Sequence, residues 1–524
     1  MRSARLTGTL LAVASVLLLV PSAQAATPKG APKGTQRVTY KVGPINVTPG
    51  QNRIAYAPIA EKPQVDGWIT RIRPDLTRLD GTVPPTDDVM FHHGVWVNMS
   101  GENATSGLPE LFFAAGEEKT ISKLPKGYGY RHEEGDRWLL NHMIHNLTAK
   151  RMRLYITYTV DFIPDTAKAA KSLEPVRPIW MDVQNGSLYP VFDILKNTGK
   201  KSKFTYPNQQ DGAYPREREK NKWTVDRDGV LVATAGHVHS GGLWTDMWVK
   251  REGARYAGPA CASRAKASSR RKCRKKAPTV RGEKAHLFRS LAKYFEPAGP
   301  VSWDVAMTAT PDNWRVALKK GDTLEISTTY ETRRASWYES MGIMVAYMAE
   351  GKKGKNPFRS KVNHKGKVTH GHLRENRVHG GKKTDLPDPR KLPSGPFAGG
   401  PLTINGFAYQ AGDLRLPGGA KNPPSVRRGQ SLTYVLGEAD ARQEAWHSVT
   451  SCKAPCNRST GIAYPIPDAK YQFDSGQLGD RTPAVRRRTW QTPKNLPVGT
   501  YTYFCRIHPF MRGAFRVVSD KKSK

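Results

Sequence analysis

The chain has 524 residues, and Lys plus Arg exceed Asp plus Glu by 83 − 45 = 38. This length predicts roughly two to four domains, each large enough to bury its own core. The positive charge favours anionic partners, but the basic residues are scattered, with dense clusters only in 264–276 and 351–392. We therefore expect no nucleic-acid binding and interpret the charge as a solvated surface suited to an anionic cell envelope.

The first residues have the pattern of an export signal. Residues 1–5 are basic, 6–20 are apolar, and 21–25 end in a small-x-small cleavage pattern. The apolar run is too short to span a bilayer comfortably, and no later run is long and apolar enough to do so. The sequence predicts a signal peptide over 1–25, cleavage after Ala25, and a secreted protein without a transmembrane segment.

The rest of the chain shows a β pattern. Short apolar or aromatic runs are interrupted about every ten residues by Gly, Pro, Asn and Asp, which is typical of β-sandwiches. We predict an all-β fold with two antiparallel, jelly-roll-like sandwiches followed by a Greek-key sandwich. The predicted segments are a flexible leader (26–36), a first sandwich (37–165), a second sandwich (166–350), a basic His/Lys/Gly-rich linker (351–398), a third sandwich (399–519) and a basic tail (520–524).

Paired histidines occur in both of the first two sandwiches. His92 and His93 are adjacent, so a regular strand would point them to opposite faces, and joint metal ligation requires a bulge or a strand end. His237 and His239 are two residues apart, which places both imidazoles on one face of a strand. A strand rich in methionine, 337–348, follows later in the second sandwich and could supply a third ligand, but such strands more often belong to a core.

The predicted linker contains three more histidines, His370, His372 and His379. They indicate either a further copper site or loading arm, or a solvated linker, and we favour the solvated linker.

The third sandwich ends in a motif of metal ligands. Cys505, His508 and Met511 follow a strand-like run, with the spacing Cys-x-x-His-x-x-Met. A trigonal Cys and His set with a weak Met ligand forms an electron-transfer copper site and needs one more His. His447 is the only other histidine in this sandwich, so the set is predicted to be His447, Cys505, His508 and Met511.

The cysteine count agrees with this motif. Of five cysteines, Cys261 with Cys273 and Cys452 with Cys456 are local pairs and are predicted to form disulfides, which exported proteins can contain. Cys505 remains alone, and a thiolate held on a metal explains an odd cysteine better than a stray thiol does.

The C-terminal ligand loop resembles that of the cupredoxins, and among them the amicyanin-like group, whose loop also reads Cys-x-x-His-Pro-Phe-Met-Arg-Gly. The resemblance covers about 120 residues, with Gly499-Thr500-Tyr501 before the ligand strand and Gly513 after it. It implies a Greek-key cupredoxin domain with one type 1 copper that passes single electrons.

The first two sandwiches resemble the copper type II monooxygenases, the family of peptidylglycine α-hydroxylating monooxygenase and dopamine β-monooxygenase. The family's motifs occur in its order: the His-His pair, a Gly-Tyr-Gly-Tyr segment at 127–130 leading to a His, the His-x-His strand and the late Met strand. The resemblance implies two further, non-blue copper sites with assigned ligands. These are His92, His93 and His145 for the electron-storing site, and His237, His239 and Met341 for the catalytic, oxygen-binding site.

The sequence also departs from that family. Met344 and Met348 compete with Met341, and His142 competes with His145. The peptide-amidating members have an Arg just before the His-x-His, where this chain has Ala233-Thr234-Ala235-Gly236, so a peptidylglycine substrate is not expected.

Two functions follow as hypotheses. The first is a secreted copper monooxygenase that hydroxylates a C–H bond of an unidentified organic substrate with O₂, receiving electrons from an external reductant through the tethered type 1 copper. The alternative is a non-enzymatic copper protein that carries electrons or stores copper in the envelope.

Overall fold

The fold described here comes from a computed structural model. It describes residues 27–86, 88–184, 191–207, 221–252, 266–269, 272, 282–295, 304–351, 353–359, 364–373, 383–437, 446–457, 472–479 and 487–519. The predicted signal peptide and His379 lie outside these residues. Within them, no helix has the length and apolar character needed to cross a membrane.

The two predicted disulfides have different outcomes. Cys452 and Cys456 are bonded to each other, as predicted. Cys261 and Cys273 both lie outside the described residues, so the disulfide between Cys261 and Cys273 stays a prediction. Among the described residues, Cys505 is the one cysteine without a disulfide, and it is buried.

The regular structure of the described residues is almost entirely β-strand, which confirms the predicted all-β fold. Helical structure is confined to short pieces such as the 3-10 helices Lys168–Ser172 and Gly418–Lys421.

Nine strands form the first sandwich. They are β1 (Gln36–Val47), β2 (Asn52–Ile59), β3 (Gly67–Arg78), β4 (Val89–Glu102), β5 (Pro109–Gly116), β6 (Ser122–Lys123), β7 (Tyr128–His132), β8 (Trp138–Asn146) and β9 (Met152–Pro164). One layer has the order β1-β9-β3-β7 and the other β2-β8-β4-β5. Leu154, Ile156, Tyr158 and Val160 of β9 alternate with more polar residues and enter the shared core, as a strand buried on one face requires.

The second sandwich contains twelve strands within the described ranges, of which β10 is the first. They are β10 (Glu174–Asp182), β11 (Phe192–Ile194), β12 (Lys203–Tyr206), β13 (Lys222–Thr224), β14 (Gly229–His237), β15 (Gly242–Arg251), β16 (Glu283–Tyr294), β17 (Val305–Ala309), β18 (Val316–Leu318), β19 (Thr323–Glu331), β20 (Trp337–Ser340) and β21 (Ile343–Ala349). The path β10-β21-β14-β17-β16-β15-β19-β12 folds over a core that includes Met247, Phe288 and Trp314.

The first two sandwiches share a continuous sheet. Strand β7 of the first pairs in parallel with β10 of the second, through Tyr128 opposite Glu174 and Gly129 opposite Pro175. A parallel joint was not expected from the sequence, which predicted antiparallel sandwiches. This pairing and the hydrogen bonds of Thr105 with Trp180 O and of Tyr347 with Phe112 O connect the two sandwiches.

Part of the predicted linker belongs to the second sandwich. Strand β22 (Lys367–Val368) pairs with β17, and Lys355 forms a β-bridge with Val316. Its Lys- and Gly-rich composition gave no sign of this pairing, because a two-residue strand held by a neighbour's edge needs no apolar pattern of its own.

The third sandwich has seven strands in the described residues. They are β23 (Leu402–Ile404), β24 (Ser425–Arg427), β25 (Thr433–Leu436), β26 (Thr450–Cys452), β27 (Thr489–Gln491), β28 (Gly499–Phe504) and β29 (Arg512–Val518). Its layers have the orders β23-β25-β27 and β24-β29-β28-β26 around a core that contains Tyr434 and Phe515. The Cys452–Cys456 disulfide and Phe504 pack into the core of the second sandwich.

Candidate metal centres

The C-terminal ligands meet where the start of strand β26 lies beside the end of strand β28. Cys505 follows β28 directly, and His447 lies three residues before β26, whose Thr450 is opposite Phe504. Cys505 Sγ lies 3.9 Å from His447 Nδ1 and 3.7 Å from His508 Nδ1, and the two nitrogens are 3.2 Å apart. In the described part of the chain this is the one group of three His, Cys, Asp or Glu residues whose ligand atoms all lie within 4.8 Å of one another.

The environment of Cys505 favours its thiolate. The backbone N–H groups of Ser448 and His508 each donate to Sγ at 3.3 Å. Burial alone would raise the pKa of the Cys505 thiol, but the hydrogen bond and charge of His447, together with these N–H donors, lower that pKa overall. Since the thiolate is the form that binds metals, the site is prepared for a metal cation.

Backbone hydrogen bonds place Met511 beside the other three ligands. Its N–H donates to His508 O at 2.8 Å, and its carbonyl accepts from the Cys505 N–H at 3.3 Å. The Met511 side chain is fully buried, as are His447 and Cys505. One thiolate, two imidazoles and a thioether are the donor set that suits an electron-transfer copper, so the residues present fit that ion.

A β-bulge brings His92 and His93 to one face of the first sandwich. The pairing of β4 with β8 shifts between Phe91 and His93, which leaves His92 as the extra residue. Phe91 and Trp96 enter the core of the first sandwich. His93 and Val95 lie on the outer face of the same layer, which faces the second sandwich, and they line a cavity there. The bulge is the feature that joint ligation by adjacent histidines requires.

The alternation of β8 separates His145 from His142. Leu140 lies two residues from His142 along the strand and belongs to the core of the first sandwich. Asn141 shares the His145 face and lines the outer cavity. The His145 ring lies 6.2 Å from that of His92, measured between centroids. Strand geometry therefore favours His145 over His142 as the partner of the pair.

His239 and Met341 of the second sandwich are held by one hydroxyl group. The Tyr330 hydroxyl accepts from the backbone N–H groups of His239 at 3.0 Å and Met341 at 3.1 Å, and donates to Met341 O at 2.7 Å. His237 ends β14, its ring centroid is 4.9 Å from that of His239, and it lines the same cavity as Met341. Met344, by contrast, belongs to the core of the second sandwich.

The two N-terminal histidine sets adjoin each other between the sandwiches. The His92 ring is 4.3 Å from the His239 ring, centroid to centroid, and 5.8 Å from the His93 ring. Among the described residues, no three of these histidines bring their ligand nitrogens within 4.8 Å of one another. The structure gathers the predicted N-terminal ligands into one group, called the histidine cluster below: His92, His93, His145, His237, His239 and Met341. These side chains lie farther apart than those of the Cys505 set, which consists of His447, Cys505, His508 and Met511.

Burial keeps four imidazoles of this cluster neutral, those of His92, His93, His145 and His239. Burial, together with the neighbouring histidines, lowers the pKa of His93 to about 3, and burial lowers that of His145 to about 4. Burial also holds the pKa values of His92 and His239 well below their usual range. A neutral imidazole is the form that ligates a metal, so these four side chains need not lose a proton to do so.

Two buried carboxylates support the cluster and were missed from the sequence. Glu118 Oε2 accepts from His237 Nδ1 at 2.9 Å, and His237 Nε2 makes no hydrogen bond to the described residues. Glu339 Oε2 lies 3.6 Å from His92 Nε2 and accepts from Asn52 Nδ2 at 2.9 Å. The signal was present, because Glu118 lies two residues after the apolar run 111–116 and Glu339 precedes Met341 by two residues in an apolar stretch.

The C-terminal ligand loop docks on the histidine cluster. His145 Nε2 lies 2.5 Å from Ile507 O, and His508 Nε2 lies 3.0 Å from Gly50 O in the turn between β1 and β2. A Cβ on Gly50 would come within 2.9 Å of the His508 ring, so glycine permits this close approach. The Ile507 carbonyl, between two residues of the Cys505 set, therefore touches a candidate ligand of the first sandwich.

Two of the three linker histidines, His370 and His372, contact the first two sandwiches. His372 Nδ1 pairs with Asp304, and His370 Nε2 contacts the carbonyl of Glu118. They are bound to the protein surface rather than fully solvated along a free linker.

No family model and no curated protein sequence matches this chain. A solved structure of a reduced amicyanin variant is 18% identical to it, and the match covers 26% of this chain and 100% of that one with a TM-score of 0.13. This score is too low to show a shared fold.

Proposed function

We propose that this chain is a secreted copper-dependent oxidoreductase that hydroxylates a C–H bond of an organic substrate. In this proposal the Cys505 site supplies electrons to the histidine cluster between the first two sandwiches. Copper held by the Cys505 set would exchange single electrons, and copper held by the histidines and Met341 would offer O₂ a place to be reduced. The overall reaction converts R–H, O₂, two electrons and two protons into R–OH and water, with the electrons drawn from an external reductant.

The observation that carries the proposal is the contact between His145 and the carbonyl of Ile507. It joins the ligand loop of the Cys505 set to the histidine cluster by one hydrogen bond, without intervening solvent. A carrier that met its acceptor only by diffusion would not need its ligand loop buried against that acceptor. A fixed contact makes delivery intramolecular and independent of protein concentration.

The chain's own residues prepare the cluster for this role. Glu118 accepts from His237 Nδ1 and so holds the proton there, which leaves Nε2 to act as a ligand. The Ile507 carbonyl accepts from His145 Nε2 in the same way, which leaves Nδ1, an atom without a hydrogen-bond partner in the described residues. Tyr330 fixes the backbone of His239 relative to that of Met341.

Metal analysis combined with EPR on the purified full chain tests the proposal. We expect a type 1 copper signal and, in addition, copper with non-blue parameters. Cys505→Ala should abolish the type 1 signal and keep the non-blue copper, whereas His239→Ala should do the reverse. His286→Ala is a matched control, because His286 pairs with Asp246 outside the cluster. If Cys505→Ala bound no copper at all, the oxygenase proposal would be lost.

Copper storage is the second candidate function. It is favoured by the looser arrangement of the N-terminal ligands, since no three of them in the described residues meet within 4.8 Å. Measurement of O₂ uptake by the ascorbate-reduced protein separates the two functions. Uptake coupled to formation of a hydroxylated product supports the oxygenase, and stable retention of Cu(I) without O₂ uptake supports storage.

A further inference from the structure

A cavity of about 210 Å³ lies between the outer face of the first sandwich and strands β10 and β21 of the second. Its walls are mainly hydrocarbon, with Val95 and Leu111 on one side and Trp180 and Ile343 on the other. No Lys, Arg, Asp or Glu among the described residues lines it. A charged group entering this cavity would lose its hydration and gain no ion pair in return.

Three of the candidate metal ligands also line this cavity. They are His93, His237 and Met341, which are 5%, 5% and 2% exposed. Tyr56 and Met99 line the cavity as well and are 52% and 40% exposed, so they mark its opening to solvent. A molecule that enters there reaches His237 and Met341, which are predicted to hold the catalytic copper.

The cavity offers few hydrogen-bonding groups. The Trp180 indole N–H is already used, because Nε1 donates to Asp182 Oδ2 at 2.8 Å. Asn141 contributes its amide, whose Oδ1 lies 3.4 Å from His93 Nε2. Apart from the two imidazoles, a bound molecule therefore finds the Asn141 amide inside and the Tyr56 hydroxyl at the opening.

We propose that this cavity binds an uncharged, largely hydrocarbon substrate of about the size of a substituted benzene, with at most one or two neutral polar groups. An apolar cavity of about 150 Å³ accepts benzene, so this larger one has room for a ring with a short substituent. The inference rests on the proposed function, because it takes the cavity beside His237 and Met341 as the substrate site.

Binding to the full chain tests the proposed substrate class without any turnover. The probes are benzyl alcohol, benzoate and benzylamine, which share a ring and differ in charge. Titration calorimetry on the copper-free chain, where no metal can bind the charged groups, should show binding of benzyl alcohol and binding of both charged analogues that is weaker by about tenfold or more, because neither charge finds a partner. Equal or tighter binding of benzoate or benzylamine would overturn the proposal.

A substitution in the wall locates the binding. Ala114→Phe adds a ring to the cavity lining and should weaken benzyl alcohol binding by about tenfold or more. Ala420→Phe, at an exposed position in the third sandwich, is the matched control and should leave the binding unchanged. If Ala114→Phe does not fold, Leu111→Lys replaces it: the added cation should favour benzoate over benzyl alcohol. Binding unaffected by either wall variant would place the ligand elsewhere and refute the inference.

The outcome is separable from the test of the proposed function. Non-blue copper without benzyl alcohol binding would leave the oxidoreductase standing and remove this substrate class. Benzyl alcohol binding without non-blue copper would show a hydrocarbon-binding site and remove the oxygenase.

Discussion

Glu118 is the residue that fixes the orientation of His237. Its carboxylate is fully buried, accepts from His237 Nδ1 and also from the backbone N–H of Gly116. Burial would raise the pKa of Glu118, but the charge and hydrogen bond of His237 lower that pKa overall, so the carboxylate is ionised. A buried anion beside a candidate ligand makes the imidazole a stronger donor to a metal cation.

We expect Glu118→Gln to weaken copper binding at the cluster by about 10- to 100-fold, because the amide keeps an acceptor but loses the charge. Competition with a chelator of known copper affinity, followed by the non-blue EPR signal, measures the change. The exposed Glu102→Gln should bind copper as the parent protein does, and the type 1 signal should be unaffected in both variants. An unchanged affinity in Glu118→Gln would show that His237 is not a ligand.

The neighbouring Glu117 is a different kind of group. It is fully buried, and neither carboxyl oxygen has a hydrogen-bond partner among the described residues. Burial raises its pKa well above the ordinary value, and the charge of Glu118 raises it further. The folded protein therefore keeps a proton on Glu117 at pH values where the unfolded chain has released it.

This proton makes stability fall as pH rises. Between the ordinary pKa of 4.5 and the raised folded value, the native state binds more protons than the unfolded state, so the free energy of unfolding decreases with pH in that window. Glu117→Gln removes the effect. In urea unfolding, we expect the variant to match the parent near pH 4 and to exceed it increasingly above that, by up to about 1.4 kcal/mol per pH unit. A constant difference across the series, as expected for Glu102→Gln, would contradict this account.

At the scale of elements, the loop between β28 and β29 joins the third sandwich to the second. Arg506 forms an ion pair with Asp474 at 3.4 Å, and their side chains are 9% and 0% exposed. Its guanidinium lies 4.7 Å from the ring centroid of Trp337 and contacts the carbonyl of Ser336, next to β20. The ligand loop therefore touches both N-terminal sandwiches.

Arg506→Ala should lower the free energy of unfolding by about 3 kcal/mol, because it removes a cation paired with the buried Asp474 carboxylate. Chemical unfolding followed by tryptophan fluorescence gives the value. Removal of both partners, in Arg506→Ala/Asp474→Ala, should recover part of the loss, and the exposed Arg428→Ala is the control. A loss no larger than that of Arg428→Ala would mean that the ion pair between Arg506 and Asp474 contributes no measurable stability.

The sequence predicted those parts of the site that depend on neighbouring residues. Cys505, His508 and Met511 lie in one loop, so their spacing alone was enough to predict an electron-transfer copper site. For His92 and His93 the sequence showed only that a bulge was required, and the register of β4 against β8 supplies it. The roles of Glu118 and Glu339 depend on contacts between sandwiches, which no local pattern encodes.

At the scale of the whole molecule, the all-β class could be read from the sequence, but the assembly could not. The strand pattern showed where sandwiches form, because each one satisfies its own alternation of buried and exposed residues. The parallel pairing of β7 with β10 and the strand β22 in the predicted linker depend on edges that meet only in the folded protein. For the same reason the two N-terminal histidine sets were expected as separate sites and are found side by side.

The hydrogen bond between His508 and Gly50 spans 458 residues along the chain. Closing a flexible loop of that size costs on the order of 5 kcal/mol in conformational entropy, far more than one hydrogen bond returns. The contact can therefore form only after the intervening sandwiches have folded and shortened the chain that remains to be ordered. We therefore expect this contact to form late in folding, after both the first and the third sandwich have folded.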